Sequence, residues 1–323
     1  MWFEVDGSAL DVQASDRSLQ PVLDAIPLPL YQHEPSPPSM GTLDLSTCSP
    51  AHLRSEVEAF EAAPGERLQL PPPADTDLAV DLLITPREAV LLLPEHGVAT
   101  VASGGARTDV MLIEPDGLPA IALAAAAVLA MVAERGFSPI HASLVARNGA
   151  GVMFCGERSR GKTSSCLALA RAGWEVRADD RCFLRVRDGQ PLVWGPGGDM
   201  RLRPDARELW PDLAEAMAQG RAWGEKRVVR PADLGYHASA GSVTCRALMF
   251  PHVIGSGAHT LEPMPAAEAL GEMLFSTGLA ALPAHAAQQF RDVAVLLDQT
   301  PCYRLGLGRD MDLLSAAIAE VPE

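Results

Sequence analysis

This sequence lacks any excess of positive charge. Its 26 lysines and arginines stand against 41 aspartates and glutamates, a formal charge of −15. That balance argues against a nucleic-acid backbone or an anionic membrane as the main partner. The cysteine pairs of a metal knuckle or redox motif are missing too. None of Cys48, Cys155, Cys166, Cys182, Cys245 and Cys302 forms a CxxC pair, and none has a histidine at metal-ligand spacing. Dispersed thiols of this kind read as reduced cysteines in a cytoplasmic protein. No apolar run is long enough to cross a bilayer. The longest, IALAAAAVLAMVA (121–133), stops at 13 residues, where a spanning helix needs about 20, so a buried helix over roughly 118–135 is predicted. The opening MWFEVDGSALDVQ carries acids where a signal peptide would need a basic start and an apolar core.

What is present is enough apolar residue to bury a core, 48% of a 323-residue chain, and length enough for two ordinary domains. Two proline-rich stretches, IPLPLYQHEPSPPSM (26–40) and LPPPAD (70–75), read as connections, because proline fixes φ and removes a donor. DLAVDLLIT (77–85), AVLLLP (89–94) and VMLIE (110–114) read as strands of a small sheet. These and the helix make residues 1–136 a smaller α+β domain, and residues 137–323 an α/β domain. No internal repeat is visible.

The second domain carries the chemistry. IHASLVAR (140–147) alternates like a strand, Asn148-Gly149 is a hairpin turn signal, and GVMFC (151–155) reads as a strand buried on both faces. GERSRGKT (156–163) follows at once and fits G-x-x-x-x-G-K-[ST], and TSSCLALARA (163–172) continues in helical register up to Gly173. Successive backbone amides at a helix N-terminus replace the water around a phosphate with fixed dipoles. Gly156 and Gly161 allow the curve, Lys162 can reach the β- and γ-phosphates, and the Thr163 hydroxyl can ligate Mg²⁺. The nucleotide-contacting residues are therefore expected to be Gly156, Glu157, Arg158, Ser159, Arg160, Gly161, Lys162, Thr163 and Ser164. Arg158 and Arg160 either add to phosphate binding or stand in solvent.

WEVRA (174–178) is a further strand, ending in Asp179-Asp180, and CFLRVRDGQPLVW (182–194) reads as a hairpin about Asp188-Gly189. A polar turn is one account of the acid pair. After a phosphate loop there is another: one carboxylate holds Mg²⁺, and the other takes the proton of an attacking hydroxyl. His141 reads either as a core histidine or as part of this site. Lys226, Arg227 and Arg230 are either a solvated loop or a source of transition-state cation. RALMFPHVI (246–254) is apolar, and AAEALGEMLF (266–275) and AAQQFRDVAVLLDQ (286–299) are helical.

The run IHASLVARNGAGVMFCGERSRGKTSSCLALARAGWEVRADD (140–180) resembles the catalytic domain of HPr kinase/phosphorylase and its relatives. It has a histidine before the loop strand, the glycine-lysine loop, and Ala-Asp-Asp after the next strand. RLRPDARELWP (201–211) and GEKRVV (224–229) look more like the HPr-kinase-like enzymes of peptide-natural-product clusters, including lasso-peptide precursor kinases. The resemblance implies an α/β fold in which a P-loop-containing, HPr-kinase-like catalytic domain follows the N-terminal domain. It implies ATP and Mg²⁺, with Lys162 on the phosphates, Thr163 and Asp179 on the metal, Asp180 as general base and His141 near the γ-phosphate. The acceptor would be a serine or threonine hydroxyl of a peptide or small protein, or alternatively a free small-molecule alcohol. A non-catalytic nucleotide-binding regulator is the third reading, and a homo-oligomer is expected from the relatives' habit of forming rings. Two departures stand out. Arg158 and Ser159 replace the serine and glycine usual in the loop interior, and the family's glycine-rich signature with its acidic metal ligand is not found. That weakens the case for HPr as acceptor and for the reverse phosphorylase reaction. Asp199, Asp205 and Glu208 are the acids near GPGGDMR (195–201) that could supply the ligand.

Overall fold

The structure is a computed structural model that describes residues 2–25, 39–70, 78–255, 257–276, 283–319 and 321. The predicted proline-rich connections lie outside the described residues, except that Ser39, Met40 and Leu70 are in strands. The chain is a mixed α/β protein with several sheets, in two compact units that meet in sequence at Gly136 and Phe137.

The first unit contains β1 (Trp2–Val5), β2 (Ser8–Ala14), β3 (Ser39–Thr47), β4 (Glu66–Leu70), β5 (Val80–Ile84), β6 (Glu88–Leu93), β7 (Gly97–Ala102) and β8 (Arg107–Leu112). They form one sheet in the order β1-β2-β3-β8-β7-β6-β5-β4, larger than the small sheet expected. A strand such as ERLQL, with no fully buried residue, has no alternation to announce it. The short α1 (Gln20–Leu23) and α2 (Pro50–Ala62) accompany the sheet, and Leu53 and Phe60 of α2 pack against Leu83, Leu92 and Val98. Helix α3 (Leu118–Glu134) is apolar nearly all round and lies against β6, β7 and β8, as a helix without a polar face must. Among the described residues no helix is long and apolar enough to cross a membrane.

The second unit places β9 (Ser138–Ile140), β10 (Ser143–Arg147), β11 (Ala150–Phe154), β12 (Glu175–Ala178), β13 (Cys182–Arg187), β14 (Gln190–Gly195), β18 (Gly241–Val253), β19 (Thr260–Pro263) and β20 (Cys302–Leu307) in one sheet. The order is β12-β10-β11-β18-β14-β13-β9, with β20 pairing β18 and β19. A second sheet holds β15 (Met200–Leu202), β16 (Arg221–Trp223) and β17 (Lys226–Val229) in the order β15-β17-β16. Of the basic trio for which a solvated loop is one reading, Lys226 and Arg227 thus lie in a strand and Arg230 follows it. Helices α4 (Lys162–Arg171), α5 (Ala206–Leu209), α6 (Ala214–Gln219), α7 (Ala266–Ser276), α8 (Pro283–Gln299) and α9 (Leu314–Ala319) complete the unit.

The doubly buried character expected for β11 has a simple basis. Val152 and Phe154 face Leu167 of α4 and Ile318 of α9, while Met153 and Cys155 face Met273 of α7 and Val293 of α8. One correction concerns 140–147, read as a single strand. The chain breaks at His141-Ala142, because β9 pairs β13 whereas β10 pairs β11 and β12. The β10–β11 turn has Asn148 at φ 54° and Gly149 at φ 83°, the left-handed pair that a two-residue hairpin requires. Asparagine tolerates that conformation better than alanine, so Asn148→Ala is expected to lower stability by about 1 kcal/mol in urea denaturation.

Candidate functional site

The site forms where three strands end together. Antiparallel β10 lies between β11 and β12, so those two run parallel to each other and deliver their C-terminal ends to the same edge as the start of β10. From β11 comes the 156–163 loop, from β12 come Asp179 and Asp180, and beside the start of β10 lie His141 and Ser143. The strand that ends in the acid pair is in the same sheet as β11, with β10 between them.

The loop turns on two glycines, Gly156 at φ 111° and Gly161 at φ 104°. Gly161 caps α4, and a Cβ there would overlap the buried Leu307 side chain. Lys162 is only 7% exposed. Its ammonium donates to the carbonyls of Gly156 and Glu157, both at 2.7 Å, which curls the loop around it. Burial lowers its pKa, against the pull of Cys155, Asp180 and Asp179. Glu157, Arg158, Ser159 and Arg160 are exposed; Arg160 pairs with Glu157 at 3.1 Å, and Ser159 sits at φ 62°. Ser164 lies in the first turn of α4.

Asp179 is the hub. It accepts the Thr163 hydroxyl at 3.0 Å and the Ser143 hydroxyl at 2.6 Å on Oδ1, and the Arg201 backbone N–H at 3.0 Å on Oδ2. A threonine hydroxyl and a carboxylate sharing one contact are the hard oxygen donors that suit Mg²⁺. Asp180 adopts φ 81°, an uncommon value outside glycine that aspartate tolerates at a small cost. Its carboxylate meets Arg201 Nη1 at 2.6 Å and His141 Nδ1 at 3.4 Å. Burial acts to raise its pKa, but Arg201, with His141, Arg181 and Lys226, outweighs that and holds the group well below the usual carboxylate range. His141 Nδ1 also lies 2.8 Å from the Asp180 carbonyl. Burial, with Lys162 and Arg181, lowers the His141 pKa despite Asp180. A neutral ring donating Nδ1–H to that carbonyl keeps Nε2 as an acceptor.

The structure therefore gathers Lys162, Thr163, Asp179, Asp180 and His141. It does not gather the acids considered for a further metal ligand. Asp205 lies 3.9 Å from Arg203 on the surface, Glu208 is exposed on α5, and Asp199 sits among Arg221, Arg230 and Arg201, with burial raising its pKa. Among the described residues no three of His, Cys, Asp and Glu cluster to hold a metal. Of the basic trio, Lys226 is the member whose charge acts on both Lys162 and Asp180; Arg230 pairs with Asp233 at 2.8 Å, and Arg227 is exposed. Sequence reasoning missed Arg201, Ser143 and Glu272, whose Oε2 lies 3.8 Å from a Cβ built on Gly156. Ser143 alone had a signal, as the alternate residue of IHASLVAR two beyond His141.

No protein-family profile matches the chain, and no curated protein does. Among solved structures, the Hpr(Ser) kinase/phosphatase from Coxiella burnetii is similar at 13% identity and a TM-score of 0.27, over 56% of this chain and 93% of that one. A likeness of that size carries no argument about fold or chemistry.

Proposed function

We propose that this protein is an ATP- and Mg²⁺-dependent phosphotransferase acting on a hydroxyl, its acceptor a serine or threonine of a peptide or small protein. Residues 137–323 would form the catalytic domain and residues 1–136 would recognise the acceptor or support the fold. The observation that carries this is the meeting of Thr163 with Asp179 at 3.0 Å, with Asp180 next in the chain. The resemblance of residues 140–180 to HPr kinase/phosphorylase supports it from the sequence side.

In this reading the amides of 156–163 and the Lys162 ammonium hold the β- and γ-phosphates. Thr163 and Asp179 hold Mg²⁺, which supplies neutralisation of charge on the phosphate oxygens when bound. Asp180 accepts the proton of the acceptor hydroxyl as the new oxygen–phosphorus bond forms and the bond to the ADP oxygen breaks. Lys226 neutralises charge as it spreads over the transferring group.

One observation favours a second reading, nucleotide binding without turnover: the clasp of Arg201 on Asp180 leaves that carboxylate a weak base. A single assay separates the two. The full chain is incubated with γ-labelled ATP, Mg²⁺ and a panel of serine and threonine peptides, free serine and sugar alcohols. Label in a phosphoester on a peptide hydroxyl is the expected result; label confined to small alcohols moves the acceptor class. Tight ATP binding with no phosphoester from any acceptor decides for the regulator.

A further inference from the structure

Arg201 enters neither the loop nor the acid pair by sequence, yet it touches both acids. Its position follows from strand register. In the β15-β17-β16 sheet, Arg201 pairs with Val228, and Trp223 pairs with Lys226. With the two-residue alternation of a strand, this puts Arg201, Trp223 and Lys226 on one face. Met200, Leu202 and Val229 occupy the opposite face and are buried in the core with Phe154 and Leu167. The small sheet is thus anchored by one side and presents cations on the other. Two residues along, the Arg203 guanidinium donates to Ser159 at the crown of the loop at 3.1 Å. The strand and its continuation therefore reach the acid pair through Arg201 and the loop through Arg203.

Composition makes the cation face more pointed. The chain has 24 arginines and only two lysines, Lys162 and Lys226, and the charges of these two act on each other and on Asp180. Four permanent cations, Lys162, Arg181, Lys226 and Arg201, thus act on Asp180. Arg201 is the one that holds it, at 2.6 Å, while its guanidinium rests 4.5 Å from the centre of the Trp223 ring. Stacking on an aromatic face leaves the guanidinium's in-plane N–H donors free to change partner.

We propose that Arg201 is a second phosphate-binding residue, which exchanges the Asp180 carboxylate for the terminal phosphoryl group when a nucleoside triphosphate binds. The Trp223 shelf stays in place through the exchange. This rests on the phosphotransferase reading and adds to it a residue that tells triphosphate from diphosphate.

The test is equilibrium binding of ATP and ADP, each with Mg²⁺, to the full chain. Arg201→Gln is expected to weaken ATP by about tenfold and leave ADP nearly unchanged, because only ATP carries the group Arg201 would meet. Asp180→Asn is expected to tighten ATP by about threefold, because a neutral amide oxygen holds the guanidinium more weakly than a carboxylate does. A merely structural arginine would move both nucleotides together and leave their ratio fixed. Should Arg201→Gln fail to fold by circular dichroism, Arg201→Lys carries the same comparison, since it keeps the charge and loses the flat donor set. An unchanged ATP-to-ADP ratio in a folded variant overturns this inference and leaves the phosphotransferase reading standing. If the unmodified protein binds neither nucleotide, both fall.

Discussion

Asp180→Asn should lower phosphoryl transfer by about 10³-fold, within the range that a positioned general base supplies, while ATP remains bound. Asparagine suits this test physically. It is close in size to aspartate and, among residues with a side chain, accepts the left-handed backbone at φ 81° best. Its amide oxygen can still accept from Arg201, so the wall of the site keeps its shape. What disappears is the capacity to take a proton from the acceptor. Single-turnover transfer to a confirmed acceptor, run beside ATP binding, measures the two separately. A variant that transfers at the original rate would remove Asp180 from the chemistry. A variant that loses binding and transfer equally would make it a structural residue.

Lys162→Met should cost about 10²–10³-fold in transfer, the range for removing one charge-stabilising donor from a preorganised site, and should weaken ATP as well. The methionine chain is of similar length and suits a position that is 7% exposed, so the core beneath α4 has little reason to collapse. The loop itself loses two bonds, to the carbonyls of Gly156 and Glu157. Those carbonyls border the exposed part of the loop and can turn to water. The expected outcome is a folded protein with a slack loop, seen as an unchanged thermal transition together with lost ATP binding. Full ATP affinity in this variant would show that the Lys162 ammonium does not hold the phosphates.

Local signals in the sequence carried much of the second unit. Asn148-Gly149 marks a turn because few residues accept positive φ twice in succession. GVMFC marks a doubly covered strand because it has no polar position to expose. Gly156, Gly161 and Lys162 mark a loop because their spacing matches a backbone shape. Other features depend on contacts between distant segments, and these were not legible. The break at His141-Ala142 follows from two neighbouring strands choosing different partners, which alternation within one segment cannot reveal. Arg201 reaches Asp180 only because a three-residue strand pairs with Lys226–Val229, and the alternation in MRLR is too short to announce which segment it will pair with. In the first unit, short strands joined across long separations, such as β3 beside β8, left no pattern that one stretch could display.

The 13-residue strand β18 sets a lower limit on how far this protein can be trimmed. It covers the open side of β11 from Ala150 to Phe154, accepts the Cys155 amide through the Met249 carbonyl, and hands on to β20, whose Leu307 abuts Gly161. A fragment ending before Gly241 would include every residue from His141 to Lys226 named in the chemistry, yet would leave a bare, apolar sheet edge directly beneath the loop. Such edges recruit other chains, so that fragment would be a seed for aggregation rather than a minimal enzyme.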